Sequence, residues 1–202
     1  MTVQLDHLAV VAGSLAEGVA WVEAALGVTL APGGEHPAMG THNRLLSLGP
    51  GEYLEVIAVN RQAPAPGRAR WFDLDRFSGP PRLANWVVRV DDLDAALALA
   101  PLGAGVPMAL SRGDLAWTMA VPGNGRLPYD GCFPALIQWH GLLHPAQRLP
   151  DAGVRLRTLR LTHPAADGLA ACLAMPDARI TAVPGPIGLR AEFSTPNGPR
   201  LL

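Results

Sequence analysis

Lysine is absent from this 202-residue sequence: its sixteen basic residues are all arginines, set against seventeen acids for a formal net charge of −1. The arginines are scattered singly except around Arg68-Ala69-Arg70 and Arg155-Leu156-Arg157. Displacing counterions from a nucleic acid takes a basic stripe, and there is none, so no nucleic-acid partner is expected. Long apolar runs are missing too, because Gly, Pro or a charge interrupts each one, and no basic segment leads into an apolar stretch at the N-terminus. Neither a membrane partner nor a leader is expected, and the cytoplasm is the default location. Cys132 and Cys172 belong to no CxxC or His-rich cluster and read as small buried apolar residues. There is no Gly-x-Ser-x-Gly elbow, phosphate loop or dinucleotide glycine pattern, and Gly123-Asn124-Gly125 falls in a hairpin loop rather than before a helix. Serine hydrolase chemistry and a nucleotide cofactor are therefore not expected. Charged residues make up only 16% of the chain, below the usual quarter, which favours a compact protein with surface to bury in an oligomer and permits a homodimer.

What the sequence does contain is a resemblance to itself. Leu5-Asp6-His7-Leu8-Ala9-Val10-Val11, followed by a helical stretch, recurs as Leu83-Ala84-Asn85-Trp86-Val87-Val88-Arg89 before a second one. Such repetition points to a fold built by duplication, with equivalent strands facing a cleft. Alternation over Val3 to Ala12 predicts a strand with His7, Ala9 and Val11 on one face. Ser14 and Glu17 have capping-box spacing, Leu15, Val19, Val22 and Leu26 form an apolar stripe, and Gly27 is placed as a left-handed cap. Three strands are then predicted: Val28 to Leu30, Asn43 to Leu48 and Tyr53 to Val59, with a loop through Pro32-Gly33-Gly34. Glu55 shares an apolar strand face with Tyr53 and Ile57, and an acid there needs a partner.

Residues 61 to 82 read as a Pro-, Arg- and Gly-rich connector with Phe72 and Phe77 as anchors. A second unit follows: a strand at Trp86 to Val90, a helix from Asp92 stopped at Pro101, and strands at Met108 to Arg112, Ala116 to Val121 and Ala135 to His140. Aligning the helix starts places Asn85 where His7 was, and aligning the last strands places Gln138 where Glu55 was. A shorter third unit follows, with strands at Leu156 to Thr162, Ile180 to Val183, Leu189 to Ser194 and Arg200 to Leu202. Its helix start aligns Arg157 with His7.

At Leu5-Asp6-His7-Leu8, Gly40-Thr41-His42-Asn43-Arg44-Leu45-Leu46 and Tyr53-Leu54-Glu55 the chain resembles the glyoxalase-like proteins of the vicinal-oxygen-chelate superfamily. The resemblance implies an α+β fold in which repeated βαβββ modules form an open curved sheet or barrel-like cleft with helices outside. Residues 1–202 would then be a single glyoxalase-like domain with modules at about 3–60, 83–140 and, shorter, 154–202. It also implies a divalent metal (zinc, nickel, iron or manganese) held by His and Glu from the first and last strands of each module. The ion would stabilise charge on a small oxygenated substrate in lyase, isomerase or dioxygenase-like chemistry. His7 and Glu55 match the first ligand pair, with Glu55 as the group that moves a proton.

The second pair departs from the pattern, since Asn85 and Gln138 are neutral amides and weak ligands for such metals. His140, two residues beyond Gln138, restores a stronger donor if it shares that face. His42 and Asn43, on a loop expected near the cleft mouth, and Asn85 are candidate substrate contacts. If the first and third units pair, Arg157 faces His7 and Glu55 and the cleft suits an anion. Each has a plainer reading: His7 as a core histidine, Glu55 in an ion pair with Arg44, and the amides as structural. Trp139 alternates away from Gln138 and reads as packing, and His144 and His163 as solvent-side residues. Two functions stand side by side, a metal-dependent lyase or isomerase and a metal-free protein that binds or sequesters a small molecule, with a structural duplicate that holds no ligand as the third reading.

Overall fold

The computed structural model describes residues 2–173 and 175–202. The first unit runs β1 (Val3–Val11), α1 (Leu15–Leu26), β2 (Ala31–His36), β3 (Thr41–Gly49) and β4 (Glu52–Val59). The second runs β5 (Arg82–Val90), α2 (Leu93–Leu99), β6 (Val106–Arg112), β7 (Leu115–Val121) and β8 (Ala135–His140). Together they form one eight-stranded sheet in the order β2-β3-β4-β1-β5-β8-β7-β6. In both units the first strand pairs in parallel with the fourth, and β1 and β5 meet antiparallel at the centre. The halves are thus two copies of one βαβββ topology. The sheet curls until its edge strands β2 and β6 touch.

Helix α1 forms where its signals place it. The Ser14 side chain accepts the Glu17 N–H and Gly27 closes the helix at φ 71°, in the left-handed region where glycine has no Cβ to clash. Val22 and Leu26 are buried in the core while Leu15 and Val19 pack at its edge. The second strand corrects the expectation. It lies at Ala31–His36, not at Val28 to Leu30, and runs through Pro32-Gly33-Gly34 by way of a register shift between Pro32 and Glu35. A Cβ on Gly33 would stand 2.2 Å from both the carbonyl and the side-chain oxygen of Asn43, so the glycines let β2 press onto β3.

The tail contains β9 (Arg155–Thr162), α3 (Ala166–Cys172), β10 (Ile180–Val183), β11 (Gly188–Thr195) and β12 (Gly198–Leu201). It keeps the βαβββ order but not the pairing. Its sheet reads β10-β9-β11-β12, so the first strand pairs in parallel with the strand directly after the helix. It is therefore not a third copy of the module. Leu159, Leu161 and Phe193 from this small sheet share a core with Leu8, Trp86 and α1 on one face of the large sheet. The opposite, concave face holds a second core, into which the connector inserts Trp71, Phe72 and Leu74 against Met39, Trp117 and Met119. The connector thus fills much of the cleft that the duplication creates. No helix among the described residues is long and apolar enough to cross a membrane.

Candidate functional site

His7 and Glu55 meet on the concave face because β1 and β4 are adjacent and in register, with Ala9 beside Glu55 and His7 beside Tyr53. Their nearest polar atoms, His7 Nε2 and Glu55 Oε2, are 3.6 Å apart. Both line a cavity of about 40 Å³ together with Asn43, Tyr53, Trp71, Trp117 and Trp139. The Tyr53 ring stacks on His7 at 4.4 Å and 16°.

Asp6 completes this pair and was not anticipated. Strict alternation puts residue 6 on the opposite face from residue 7, but the β1–β5 register skips from Leu5 to His7 and leaves Asp6 as the extra residue of a bulge. Its carboxylate, fully buried, accepts from His7 Nδ1 at 2.6 Å, from Trp139 Nε1 at 2.9 Å and from His144 Nε2 at 2.9 Å. His144 Nδ1 accepts the Ala146 N–H, which leaves Nε2 to carry the proton that Asp6 receives. His144 is therefore a partner of the site and not a solvent-side residue, and Trp139 faces the cavity.

The electrostatics follow from this arrangement. Burial would lower the pKa of His7, but hydrogen bonds and charge from Asp6 and Glu55 outweigh it and raise it to about 9. Burial likewise opposes ionisation of both acids. The histidine bonds to Asp6, and the His7 and Asn43 contacts to Glu55, nonetheless hold each carboxyl below its ordinary range. His7 is thus an imidazolium between two carboxylates.

Asn43 donates to Glu55 Oε1 at 2.6 Å and accepts the Gly34 N–H at 2.7 Å. Arg112, from the end of β6, crosses the gap between the sheet edges. Its Nη1 donates to His36 Nε2 at 3.2 Å and lies 3.4 Å from Asn43 Oδ1. His36 accepts from a guanidinium and is buried, and burial is the largest cause lowering its pKa to about 4. Its Nδ1 then carries the proton, facing Thr41 Oγ1 at 3.1 Å.

The other sequence candidates lie elsewhere. Parity decides β8: Ile137 and Trp139 face the cavity, so Gln138 and His140 point away from it. Gln138 accepts the Leu93 N–H at the start of α2 and donates to Asp91 O, and His140 is exposed beside Thr118. The alignment that set Gln138 over Glu55 was off by an odd number of residues. By strand register, Ala135 stands beside Val87 as Glu55 stands beside Ala9. His42 alternates away from Asn43, and Arg44, offered as a partner for Glu55, is exposed. Arg157 is exposed on β9 of the small sheet, because the first unit pairs with the second and not with the third. Asn85 is buried but lines a different cavity, beyond Phe72. His163 is buried against Asp130 at 3.3 Å.

These positions test the implied metal. The described residues contain no group of three His, Cys, Asp or Glu side chains able to hold an ion. His7 and Glu55 supply two donors, the third nearby imidazole receives its Nε2 bond from Arg112, and the second half offers Ile137 and Trp139. A stable site for zinc or its neighbours takes three or four strong ligands, so the donor set does not fit a resident divalent ion.

Among solved structures, a hypothetical protein from Staphylococcus aureus shares 13% identity over 93% of this chain and 88% of its own, with a TM-score of 0.64. Methylmalonyl-CoA epimerase from Mycobacterium tuberculosis matches 69% of this chain and 88% of its own, at 18% identity and a TM-score of 0.42. No curated protein matches the chain in sequence. The family model described as a glyoxalase-like domain matches residues 5–175, and the chain belongs to that family.

Proposed function

We propose that the inner compartment binds a small oxygenated metabolite carrying an anionic oxygen, using the chain's own cations and N–H donors in place of a resident metal. The observation that carries this reading is unused donor capacity around the cavity. Trp71, in its wall, has a buried indole N–H with no acceptor, and Arg112 makes no ion pair with any described carboxylate. A carboxylate or enolate oxygen against Arg112 accepts a charge-assisted hydrogen bond, while the tryptophans cover a small flat skeleton.

A 40 Å³ space holds little beyond a water or two, so binding requires the connector to yield. Phe72 and Asp73 sit at φ 57° and 54°, a region that aspartate tolerates but that is costly for phenylalanine, which favours Trp71–Arg76 as the part that moves. Calorimetry on metal-stripped protein in chelator, with pyruvate, glycolate and catechol as probes, tests the reading. Saturable binding of an oxo or hydroxy acid is expected, weakened about tenfold or more by Arg112→Met. Binding only after metal is restored, or none at all, overturns it.

A second reading, catalysis by proton transfer, is favoured by the 3.6 Å approach of His7 Nε2 and Glu55 Oε2 at one cavity. Glu55 would accept a proton from the carbon beside a carbonyl, the electron pair passing to the carbonyl oxygen, where the His7 imidazolium donates a hydrogen bond. Proton exchange at that carbon in deuterium oxide, lost in Glu55→Gln while binding persists, is the expected result. Exchange that survives Glu55→Gln rules Glu55 out as the base.

A further inference from the structure

We propose a second ligand site, separate from the inner compartment, in a cavity of about 560 Å³ on the other side of Phe72, and assign it to an organic anion with a flat apolar body. The cavity is of the size that small organic ligands occupy. Three observations converge there. Asn85 is only 4% exposed and lines the cavity, yet its amide makes no hydrogen bond to any described residue. That amide reaches the cavity with its donor and acceptor both unused by the protein, so a ligand there can take both.

Gly131, at φ 90°, keeps the space above it open: a Cβ there would stand 3.1 Å from Asn85 Nδ2. Charge is the third observation. Arg76 is paired with Asp73, and Arg126 lies 3.5 Å from Asp73 and 4.0 Å from Asp130. Arg82, on the same wall, has no acidic partner among the described residues. It donates to Ser78 O and rests 4.3 Å over the Phe77 ring. The lining therefore carries three arginines against two aspartates, and the arginine without an acidic partner is held by Phe77 and Ser78 O with donors left for an anionic oxygen. Phe72, Leu127 and Leu189 supply the apolar wall.

Side-chain amide NMR of the full chain tests this, with phenyl phosphate, benzoate and inorganic phosphate as the probes. Phenyl phosphate or benzoate is expected to shift the Asn85 amide signal saturably, whichever binds more tightly naming the source of the anion. Arg82→Gln and Asn85→Leu should each weaken that binding about tenfold or more. Arg82 is exposed, so its variant folds even if the buried Asn85 variant does not. Glu55→Gln should leave the affinity unchanged, which separates this site from the inner compartment. The proposal is overturned if neither aromatic probe saturates, if Arg82→Gln binds as the parent does, or if inorganic phosphate binds as tightly as phenyl phosphate.

Discussion

In the first half of the eight-stranded sheet Ala9 on β1 lies beside Glu55 on β4, whereas in the second half Val87 on β5 lies beside Ala135 on β8. The backbones repeat, but the side chains facing the cavity do not. One half supplies His7, Asn43 and Glu55, with Asp6 buried behind His7; the other supplies Ile137, Trp139, Trp117 and Met119, with Arg112 reaching across from its edge. A duplicated fold offers two symmetric sets of inward positions, and this chain has concentrated its cavity-facing acid and histidines in one. Such a site can orient a polar ligand against an apolar wall, but lacks the opposed donors that would enclose an ion.

The largest effect should come from removing the acid that holds the charged half together. Asp6→Ala strands the buried His7 imidazolium and leaves Trp139 and His144 without their acceptor. The expected loss is ~3–5 kcal/mol, or roughly a 10 °C fall in melting temperature by the usual size scaling. A fall of only a degree or two would mean that the two halves do not depend on this carboxylate.

Trp139→Phe cuts one direct hydrogen bond between the halves while keeping the ring. It should cost ~1.5–3 kcal/mol, as for a bond to a charged group, read in denaturant unfolding.

The pH dependence should be smaller per unit and opposite in sign for the two histidines. His7 has its pKa raised from 6.5 to about 9, so its contribution is full below the unfolded value and fades as pH rises toward 9, at up to ~1.4 kcal/mol per unit. His36 is lowered from 6.5 to about 4, so its folded environment favours stability above 6.5 and loses that advantage as pH falls toward 4. Melting curves against pH should flatten on the alkaline side in His7→Gln and on the acid side in His36→Gln. Unchanged slopes would show that neither shift exists.

The smallest effect is expected at the residues that point away from the cavity or lie off the sheet. His140→Ala and Arg157→Ala should stay within ~0.5 kcal/mol of the parent and leave binding in the inner compartment intact.

The duplication was legible in the sequence because it rests on periodicity and caps: Ser14 and Gly27 bound α1, Asp92 caps α2, and most strands lie within a residue or two of their predicted ends. The inward faces of His7 and Glu55 were legible as well, since alternation within one strand fixes a face, whereas Asn43 was offered with His42 as a loop residue and β3 turns only Asn43 inward. Relations between strands were not. A one-residue shift turns a strand over, and that error exchanged Gln138 for Ile137 and Trp139. Asp6 was hidden by a bulge that appears only when β1 is paired with β5. Arg112 and His144 reach the site from distant segments and carry no local signal. The connector looked like a linker because its Pro, Arg and Gly content conceals an apolar turn that enters the cleft.

The measurement that bears most directly on the asymmetry is the metal content of protein purified without a histidine tag, followed by zinc titration of the parent and of His7→Ala and Glu55→Ala. A one-sided donor set predicts far less than one equivalent of zinc, nickel, iron or manganese, and no saturable zinc site that both variants abolish. Near one equivalent of metal in the parent, lost in both variants, would contradict it.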